Sequence, residues 1–455
     1  MRYGTGFPCP SDPCSQSSAD FIMVSYINFP SSIIFLECLF IQSSWLLSLH
    51  PSVMESHPLG NDISAWDSEE EVVVKQLDLR DHEHSKPTDE MIADAGYPAE
   101  THDVVTPDGY ILRLHRIPHD RDGVYNNSRP LVFLMHGLLS SSADWVVTGP
   151  GAGLAFILSD EGYDVWLGNY RGNTYSHDHV NNSITKKEYW AFSWDEMAQY
   201  DLPTMIEHTL QVTGHKDLYY IGHSMGTITY YTACNYHPWI PEATKLMVGY
   251  GAHTVVPNMI SPVISMMAYF ADDIQSLLNY LGIYEFLPSN WLIEWWATKV
   301  CDENMVYLRI CENLMFLVAG YNQNEMNTTM LPYILSHVPA GTSTMNMIHY
   351  AQSVNTGGWA GYDYGSEKLN MERWNATKPP NYRYDVITAP TVLFWAENDW
   401  LVVPKDEKYL ASKLPNLVAN YKVDEPAYTH LDFLWGVHNL KKVYGPTLDI
   451  MKQFS

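Results

Sequence analysis

The chain has 455 residues and is strongly acidic, with 26 lysines and arginines against 52 aspartates and glutamates and a formal net charge of −26. A surface of this charge repels nucleic acids and anionic membranes, which argues against nucleic-acid partners. The sequence contains no G-x-G-x-x-G cradle, no P-loop and no zinc-type pairing of cysteines. We therefore expect no metal and no organic cofactor.

The N-terminal residues 1–55 contain an apolar stretch between positions 33 and 49 that has the size of a signal peptide or signal anchor. Glu37 interrupts this stretch, and a full membrane span needs about 20 mostly apolar residues. Arg2 is the only basic residue before it, whereas signal peptides usually begin with basic residues. We expect a secretory signal that starts downstream of Met1, for example at Met23, with an uncleaved membrane anchor as the alternative.

The rest of the chain is predicted to form four segments. Residues 56–89 are acidic and polar, which predicts a flexible lead. Residues 90–256 alternate short strand-like runs with helical runs, the pattern of a mostly parallel sheet in an α/β core. Residues 257–388 are rich in apolar runs with methionine and tryptophan, which favour helices packed over that core. Residues 389–455 return to the core pattern, so the helical segment is predicted to be a cap inserted into one α/β core.

In the first core segment, the strand-like run 130–135 ends in His136 and Gly137. The loop after such a strand can supply a backbone N–H group that binds an oxyanion, and the N–H of Leu138 is the natural choice. His136 could be mistaken for a catalytic base. We interpret it as a structural histidine that orders this loop.

The most informative motif is Gly222–Gly226, which fits the G-x-S-x-G nucleophile elbow of α/β-hydrolases. The apolar and aromatic run 217–221 before it predicts a strand, and the run 227–234 after it can open a helix. In that context Ser224 lies on a strained turn, and its hydroxyl becomes nucleophilic when a base takes its proton. The N–H of Met225 points to the place where an oxyanion would form. The alternative is a chance match in a loop.

The triad of this fold runs in the order serine, acid, histidine, so the acid is sought downstream of Ser224. The run 389–396 predicts a strand after Pro390, and this strand ends at Glu397-Asn-Asp399. Catalytic acids in open α/β sheets lie at the carboxyl ends of strands, so Asp399 is our candidate acid. Glu397 is its nearest rival, and an aspartate that only caps a turn is the alternative.

His430 and His438 are the late candidates for the base. His430 is preferred because it lies in a loop just before an apolar run, from which it can reach over the strand ends. A surface histidine without a role is the alternative for either residue. Asp432 is a further candidate acid, but it lies two residues from His430 and is expected to point elsewhere.

From about residue 90 to the C-terminus, long and collinear stretches resemble the acid lipase family, which includes gastric lipases, lysosomal acid lipases and many insect lipases. These stretches are 94–98, 105–112, 136–139, 169–176, 192–197, 200–203, 222–227, 339–343, 397–399 and 430–433. On this resemblance the family's nucleophile, acid and base fall on Ser224, Asp399 and His430, and its oxyanion donors fall on Leu138 and Met225. The resemblance also implies an α/β-hydrolase fold with a cap and lid between the nucleophile and the acid.

The resemblance and the triad imply a serine lipase that hydrolyses carboxylic esters of neutral lipids at an oil–water interface, with triacylglycerol as first choice and sterol ester as second. The apolar surface of 257–388 exceeds what a small ester needs, and a movable lid is the expected way to cover it. One alternative is a general carboxylesterase with the same machinery. Another is a non-catalytic lipid-binding or storage protein on the same fold.

The signal-like N-terminus predicts a secreted or lysosomal protein, with an extracellular location as first choice. N-x-S/T sequons at Asn126, Asn181, Asn327 and Asn375 suit a glycoprotein.

Outside the N-terminal stretch the cysteines are Cys234, Cys301 and Cys311. The family resemblance, which implies a cysteine pair in this part of the cap, favours a disulfide between Cys301 and Cys311. A continuous helix would hold these two about 15 Å apart, so a bridge requires the chain to turn back between them. Two buried thiols are the alternative.

Overall fold

The structure is a computed structural model that describes residues 86–123, 126, 128–287 and 315–454. The predicted signal and nearly all of the predicted flexible lead lie outside these residues, as do Cys301 and Cys311. A helix, Thr88–Asp94, opens the described chain, so regular structure begins two residues before the predicted boundary at 90. Among the helices described, none combines the length and the apolar character that a membrane crossing requires.

A nine-stranded sheet forms the centre of the described chain. Its strands are β1 Glu100–Val105, β2 Tyr110–Ile117, β3 Leu131–Met135, β4 Asp164–Leu167, β5 Asp178–His179, β6 Leu218–His223, β7 Thr244–Tyr250, β10 Thr391–Trp395 and β11 Leu417–Lys422, while β8 Glu285–Phe286 and β9 Thr342–Ser343 form a separate ribbon. The strand order is β1-β2-β4-β3-β6-β7-β10-β11, with β5 paired to β2. In this spatial order, each pair of neighbouring strands from β4 to β11 is parallel. The pairs β1–β2 and β2–β4 are antiparallel. The predicted mostly parallel α/β sheet is confirmed.

The central strands are buried on both faces, as their continuous apolar sequences predict. All residues of β3 and β6 are buried. Along β3 the side chains alternate between two hydrophobic clusters: Val132 and Leu134 belong to one cluster, and Phe133 and Met135 to the other. Each cluster fills the space between one face of the sheet and the helices that cover it.

Helices of the core flank this sheet. They are Leu154–Asp160, Lys186–Tyr189, Trp194–Glu196, Leu202–Thr213, Met225–Tyr236, Trp239–Glu242, Pro404–Lys413, Asp432–Trp435 and Gly445–Met451, with 3₁₀ turns at Ser142–Trp145 and Lys452–Phe454 and π-helical turns at Met197–Asp201 and Leu440–Tyr444. Local signals set several of their ends. The helix Leu202–Thr213 has proline in its first turn and ends at Gly214, whose φ of 73° is the left-handed conformation common at helix C-termini.

The regular structure between β7 and β10 is mainly helical where the chain is described, in agreement with the predicted helical insertion. Its helices include Pro262–Tyr269, Ala271–Leu281, Leu331–Leu335, Thr344–Thr356 and Glu367–Trp374. Polar contacts attach the helix Thr344–Thr356 to the core: the N–H of Trp194 donates to Asn346 Oδ1 at 3.0 Å, and the Ser343 hydroxyl donates to the Phe192 carbonyl. The limits 257 and 388 stay our proposal for the extent of the cap.

Glu407, on the helix Pro404–Lys413, is a fully buried carboxyl that gives the fold a pH dependence. Burial raises its pKa from 4.5 to about 7. Between these values the folded protein keeps a proton that the unfolded chain has released, so stability falls as the pH rises through this window. We expect Glu407→Gln to match the wild type at about pH 4 and to be more stable by about 1–3 kcal/mol at about pH 8. Urea unfolding at both pH values measures this, and a variant without any gain at the higher pH would contradict it.

Candidate active site

Ser224 lies between β6 and the helix Met225–Tyr236, so the predicted strand, turn and helix are all present. Its φ of 50° and ψ of −116° form a backbone conformation that non-glycine residues rarely adopt. Hydrogen bonds of the Ser224 backbone hold the turn. The Ser224 N–H donates to the Tyr250 carbonyl at 3.0 Å, and the Thr227 hydroxyl donates to the Ser224 carbonyl at 2.7 Å.

The two glycines of the motif are required by close packing. A Cβ on Gly226 would lie 2.5 Å from the Met135 carbonyl oxygen at the end of β3, and a Cβ on Gly222 would lie 2.9 Å from the Gly226 carbonyl carbon. Side chains at either position would force the helix away from the sheet. The glycines therefore place the first helical turn, with the N–H of Met225, directly against the strand ends.

Asp399 and His430 form a buried pair beyond the carboxyl ends of β10 and β11. The imidazole Nδ1 is 2.7 Å from Asp399 Oδ2, while Asp399 Oδ1 accepts hydrogen bonds from the N–H groups of Leu401 and Val402 at 2.9 and 2.7 Å. Gly251, with a φ of 55°, leaves room for the ring, because a Cβ there would lie 2.8 Å from His430 Nδ1. Within the described structure, His430 Nε2 makes no hydrogen bond.

The rival acids point elsewhere. Glu397 is exposed and pairs with Lys422. Asp432 Oδ2 accepts from the N–H of Thr429 at 2.7 Å and from the Asn322 amide at 2.9 Å. The Asp432 carboxylate thus stabilises the loop that contains Thr429 and does not hold the His430 ring.

The rival base also lies outside the pair. The His438 side chain is 57% exposed, and its Nδ1 is 3.1 Å from Glu325 Oε1. His136 is buried and orders its loop, as the sequence suggested. Its Nδ1 donates to the Gly137 carbonyl at 2.8 Å, and its Nε2 accepts from the Tyr170 N–H at 3.2 Å. Burial lowers the pKa of His136 to about 4, so this ring is neutral.

The two candidate oxyanion donors come from different segments of the chain. Leu138 follows β3, and Met225 follows Ser224. In the described part of the chain neither N–H donates a hydrogen bond, so both can serve an incoming oxygen. The loop of Leu138 is pressed against the elbow, since a Cβ on Gly137 would lie 3.2 Å from Ser224 Cβ. The cap holds this loop through a hydrogen bond from the Ala340 N–H to the Leu139 carbonyl at 2.7 Å.

This arrangement belongs to a chain with clear relatives. Family models described as a partial alpha/beta-hydrolase lipase region and as the alpha/beta hydrolase fold match residues 88–149 and 130–282. The chain is 41% identical to lipase lipl-1 of Caenorhabditis elegans, over 82% of this chain and 93% of that protein. It is 39% identical to human gastric triacylglycerol lipase, over 80% and 90%, and 36% identical to human lysosomal acid lipase/cholesteryl ester hydrolase, over 83% and 94%. The chain belongs to the acid lipase family. The predicted family and fold are confirmed.

In this acid lipase, Ser224 and His430 share the wall of one cavity of about 280 Å³. Its described lining is largely apolar and comes from both the core and the cap. Cap residues of the lining include Met259, Ile264, Met267, Leu278, Phe286 and Met315. A cavity with this lining suits an acyl chain, because each CH₂ removed from water contributes about 0.8 kcal/mol.

Sequence reasoning missed two histidines of this acid lipase that lie beside His430. His223 Nε2 donates to the His430 carbonyl at 3.0 Å and so fixes the loop of the base from within the elbow motif itself. His253 also lines the cavity, and burial together with the nearby His430 lowers its pKa to about 3. His223 could have been noticed because it occupies the second position of the G-x-S-x-G motif. The sequence around His253 contains no comparable motif.

The predicted glycosylation sites of the acid lipase lie at the surface, and the two cysteines of the predicted disulfide lie outside the described residues. Asn126, Asn181, Asn327 and Asn375 are all exposed, as glycosylation requires. Cys234 is a buried free thiol. Among the described residues, no group of three or more histidine, cysteine or acidic side chains could hold a metal ion.

Proposed function

We propose that the protein is a serine lipase that hydrolyses carboxylic ester bonds of neutral lipids through an acyl-enzyme. The observation that carries this proposal is the buried Asp399–His430 pair, which opens onto the same apolar cavity as Ser224. The backbone N–H groups of Leu138 and Met225 also support this proposal, because they can bind the negative charge of an oxyanion.

In the proposed mechanism, Ser224 Oγ attacks the ester carbonyl while His430 Nε2 takes the hydroxyl proton. Asp399 holds the imidazole through Nδ1 and stabilises it when it becomes charged. The N–H groups of Leu138 and Met225 bind the oxyanion of the tetrahedral intermediate. The imidazolium then gives its proton to the leaving alcohol. Water, activated by the same imidazole, releases the fatty acid and restores the serine hydroxyl.

Triacylglycerol is our first choice of substrate and sterol ester our second. The human relatives carry both activities in their names, one as a triacylglycerol lipase and the other as a cholesteryl ester hydrolase. The apolar cavity supports a long or medium acyl chain. A general carboxylesterase is the second candidate function, since it would use the same catalytic groups.

The cap carries an apolar surface that supports action at an oil–water interface. On the helices Pro262–Tyr269 and Ala271–Leu281 and just beyond the first of them, large apolar side chains face solvent. They are Met266, Tyr269, Phe270, Leu277, Tyr280 and Leu281, of which Tyr269 and Tyr280 are 81% and 87% exposed. Such a patch is costly in water and favourable against a lipid surface.

We expect the rate to rise when a short triglyceride exceeds its solubility limit and to favour long or medium acyl chains over acetyl esters. The double variant Tyr269→Ser/Tyr280→Ser should lose about tenfold in activity on an emulsion, the equivalent of 1.4 kcal/mol of lost interfacial binding. Its labelling by a soluble fluorophosphonate should not change. Val418→Ser, at an exposed apolar position on β11, is the matched control and should keep both activities.

Two results would separate the alternatives. A saturating rate curve without a rise at the interface, together with a strict preference for acetyl esters, would establish a general esterase. A protein that is folded but not labelled at Ser224 by the fluorophosphonate would be a lipid carrier or storage protein.

We further propose that the protein is secreted or lysosomal, with an extracellular location as first choice. The lysosomal and gastric names of the relatives support this, as do the exposed sequon asparagines. A Cys301–Cys311 disulfide remains part of the proposal. Mapping of the non-reduced protein by mass spectrometry tests it, and finding both cysteines alkylated without reductant would contradict it. Membrane anchoring by an uncleaved N-terminal stretch is the alternative to a cleaved secretory signal. N-terminal sequencing of the mature protein distinguishes the two.

A further inference from the structure

Asp144 is a buried carboxyl in the wall of the catalytic cavity that the mechanism above does not use. It lies on the 3₁₀ turn Ser142–Trp145, four residues after Ser140 and close to the loop that carries Leu138. The Ser140 hydroxyl donates to Asp144 Oδ2. Asp144 Oδ1 is also buried and has no hydrogen-bond partner within the described structure.

The surroundings of Asp144 offer it no counter-charge. No ion pair joins it to a lysine or arginine of the described residues. The titratable groups on the elements packed around this turn include Asp89, Tyr175, Tyr444, Asp432, His115 and His136. Two of these groups, Tyr175 and Tyr444, are phenols whose pKa values are raised by burial and by the charge of Asp144. The Asp432 carboxylate accepts hydrogen bonds from Thr429 and Asn322. His115 and His136 are neutral, because burial lowers the pKa of each to about 4.

Burial raises the pKa of Asp144 from 3.8 to about 7, although the Ser140 hydrogen bond opposes that rise. Below neutral pH the side chain is therefore a neutral acid. Above it, a carboxylate without a counter-charge would lie buried beside the oxyanion loop. Such a charge draws the Ser140 hydroxyl toward itself and opposes the negative charge that develops on the substrate oxygen.

We propose that Asp144 is a positioning residue whose neutral form supports the oxyanion loop 137–140, and that its ionisation slows acylation of Ser224 at alkaline pH. This inference rests on the proposed lipase function. It attributes the fall in the acylation rate at alkaline pH to one side chain outside the triad.

The test is the second-order rate of fluorophosphonate labelling at Ser224, because this rate requires neither a lipid interface nor deacylation. The quantity compared is the ratio of the rate at about pH 8 to the rate at about pH 5. We expect Asp144→Asn, which cannot ionise, to raise this ratio about tenfold over the wild type. Equal ratios in the two proteins would overturn the inference.

Two further variants make the experiment specific. Ser140→Ala removes the hydrogen bond that lowers the pKa of Asp144, so it should move the alkaline fall in rate to higher pH. A fall that moves to lower pH would contradict the proposal, and this variant decides the matter where Asp144→Asn does not fold. Glu407→Gln removes a second buried carboxyl with a raised pKa, one that does not line the cavity, and should keep the wild-type ratio. Failure to label the folded wild type at any pH would instead reject the proposed function.

Discussion

We expect Ser224→Ala and His430→Ala each to lower ester hydrolysis by about 10⁴- to 10⁶-fold without unfolding the protein. In the proposed mechanism Ser224 supplies the attacking oxygen. Among the described residues, His430 is the candidate base that is paired with a buried acid and shares the cavity wall with Ser224. The double variant should be hardly worse than either single variant, because members of a triad act as a unit. Initial rates on a soluble ester, with thermal unfolding as the control for folding, provide the measurement.

The same experiment separates the two aspartates near the base. Asp399→Asn should be severely impaired, because the carboxylate that orients the imidazole through Nδ1 is lost. Asp432→Asn should keep much more activity, since its carboxylate bonds to Thr429 and Asn322 and not to the ring. If Asp432→Asn were the less active of the two, the assignment of Asp399 as the acid would be wrong.

The second large effect is expected for Gly226→Ala. In an open helix this change would stabilise by about 1 kcal/mol, because alanine is the better helix former. Here the added methyl would lie 2.5 Å from the Met135 carbonyl oxygen and 3.0 Å from that of His136. Backbone carbonyls on a buried strand cannot move aside as a flexible side chain can. We expect a loss of about 1–3 kcal/mol in stability and a loss of at least tenfold in activity, since the elbow must shift.

Gly162→Ala is the control for this substitution. Gly162 has a φ of 92°, and a Cβ there would meet no atom within 4 Å. The control therefore measures backbone strain without a clash and should reduce stability while leaving the rate per folded molecule intact. A Gly226→Ala protein with wild-type activity would show that the helix and β3 are not as closely packed as the structure indicates.

The sequence by itself predicted the features of this protein that are local along the chain. Strand, tight turn and helix around Ser224 are encoded within the neighbouring residues 217–234, and each has its own signal: an apolar run, a glycine pair and a run that can form a helix. The same holds for the strands that end at His136 and before Asp399, because buried parallel strands read as continuous apolar runs. The order of these elements then predicted the parallel sheet and the place of the helical cap.

Tertiary structure alone decided which distant side chains meet. Glu397 and Asp399 follow the same strand, but only Asp399 reaches His430, 31 positions later, while Glu397 turns outward to Lys422. Asp432 lies two residues from His430 in sequence, yet its carboxylate accepts a hydrogen bond from Asn322 of the cap and not from the His430 ring.

The buried ionisable groups around the site have the same origin. Asp144 and His253 owe their shifted pKa values to desolvation by residues from several segments, which no local pattern records. A short motif specifies a backbone turn because the turn is made of its own residues. The direction and the charge of a side chain in a cavity depend on every segment that lines it, and those segments meet only when the whole chain has folded.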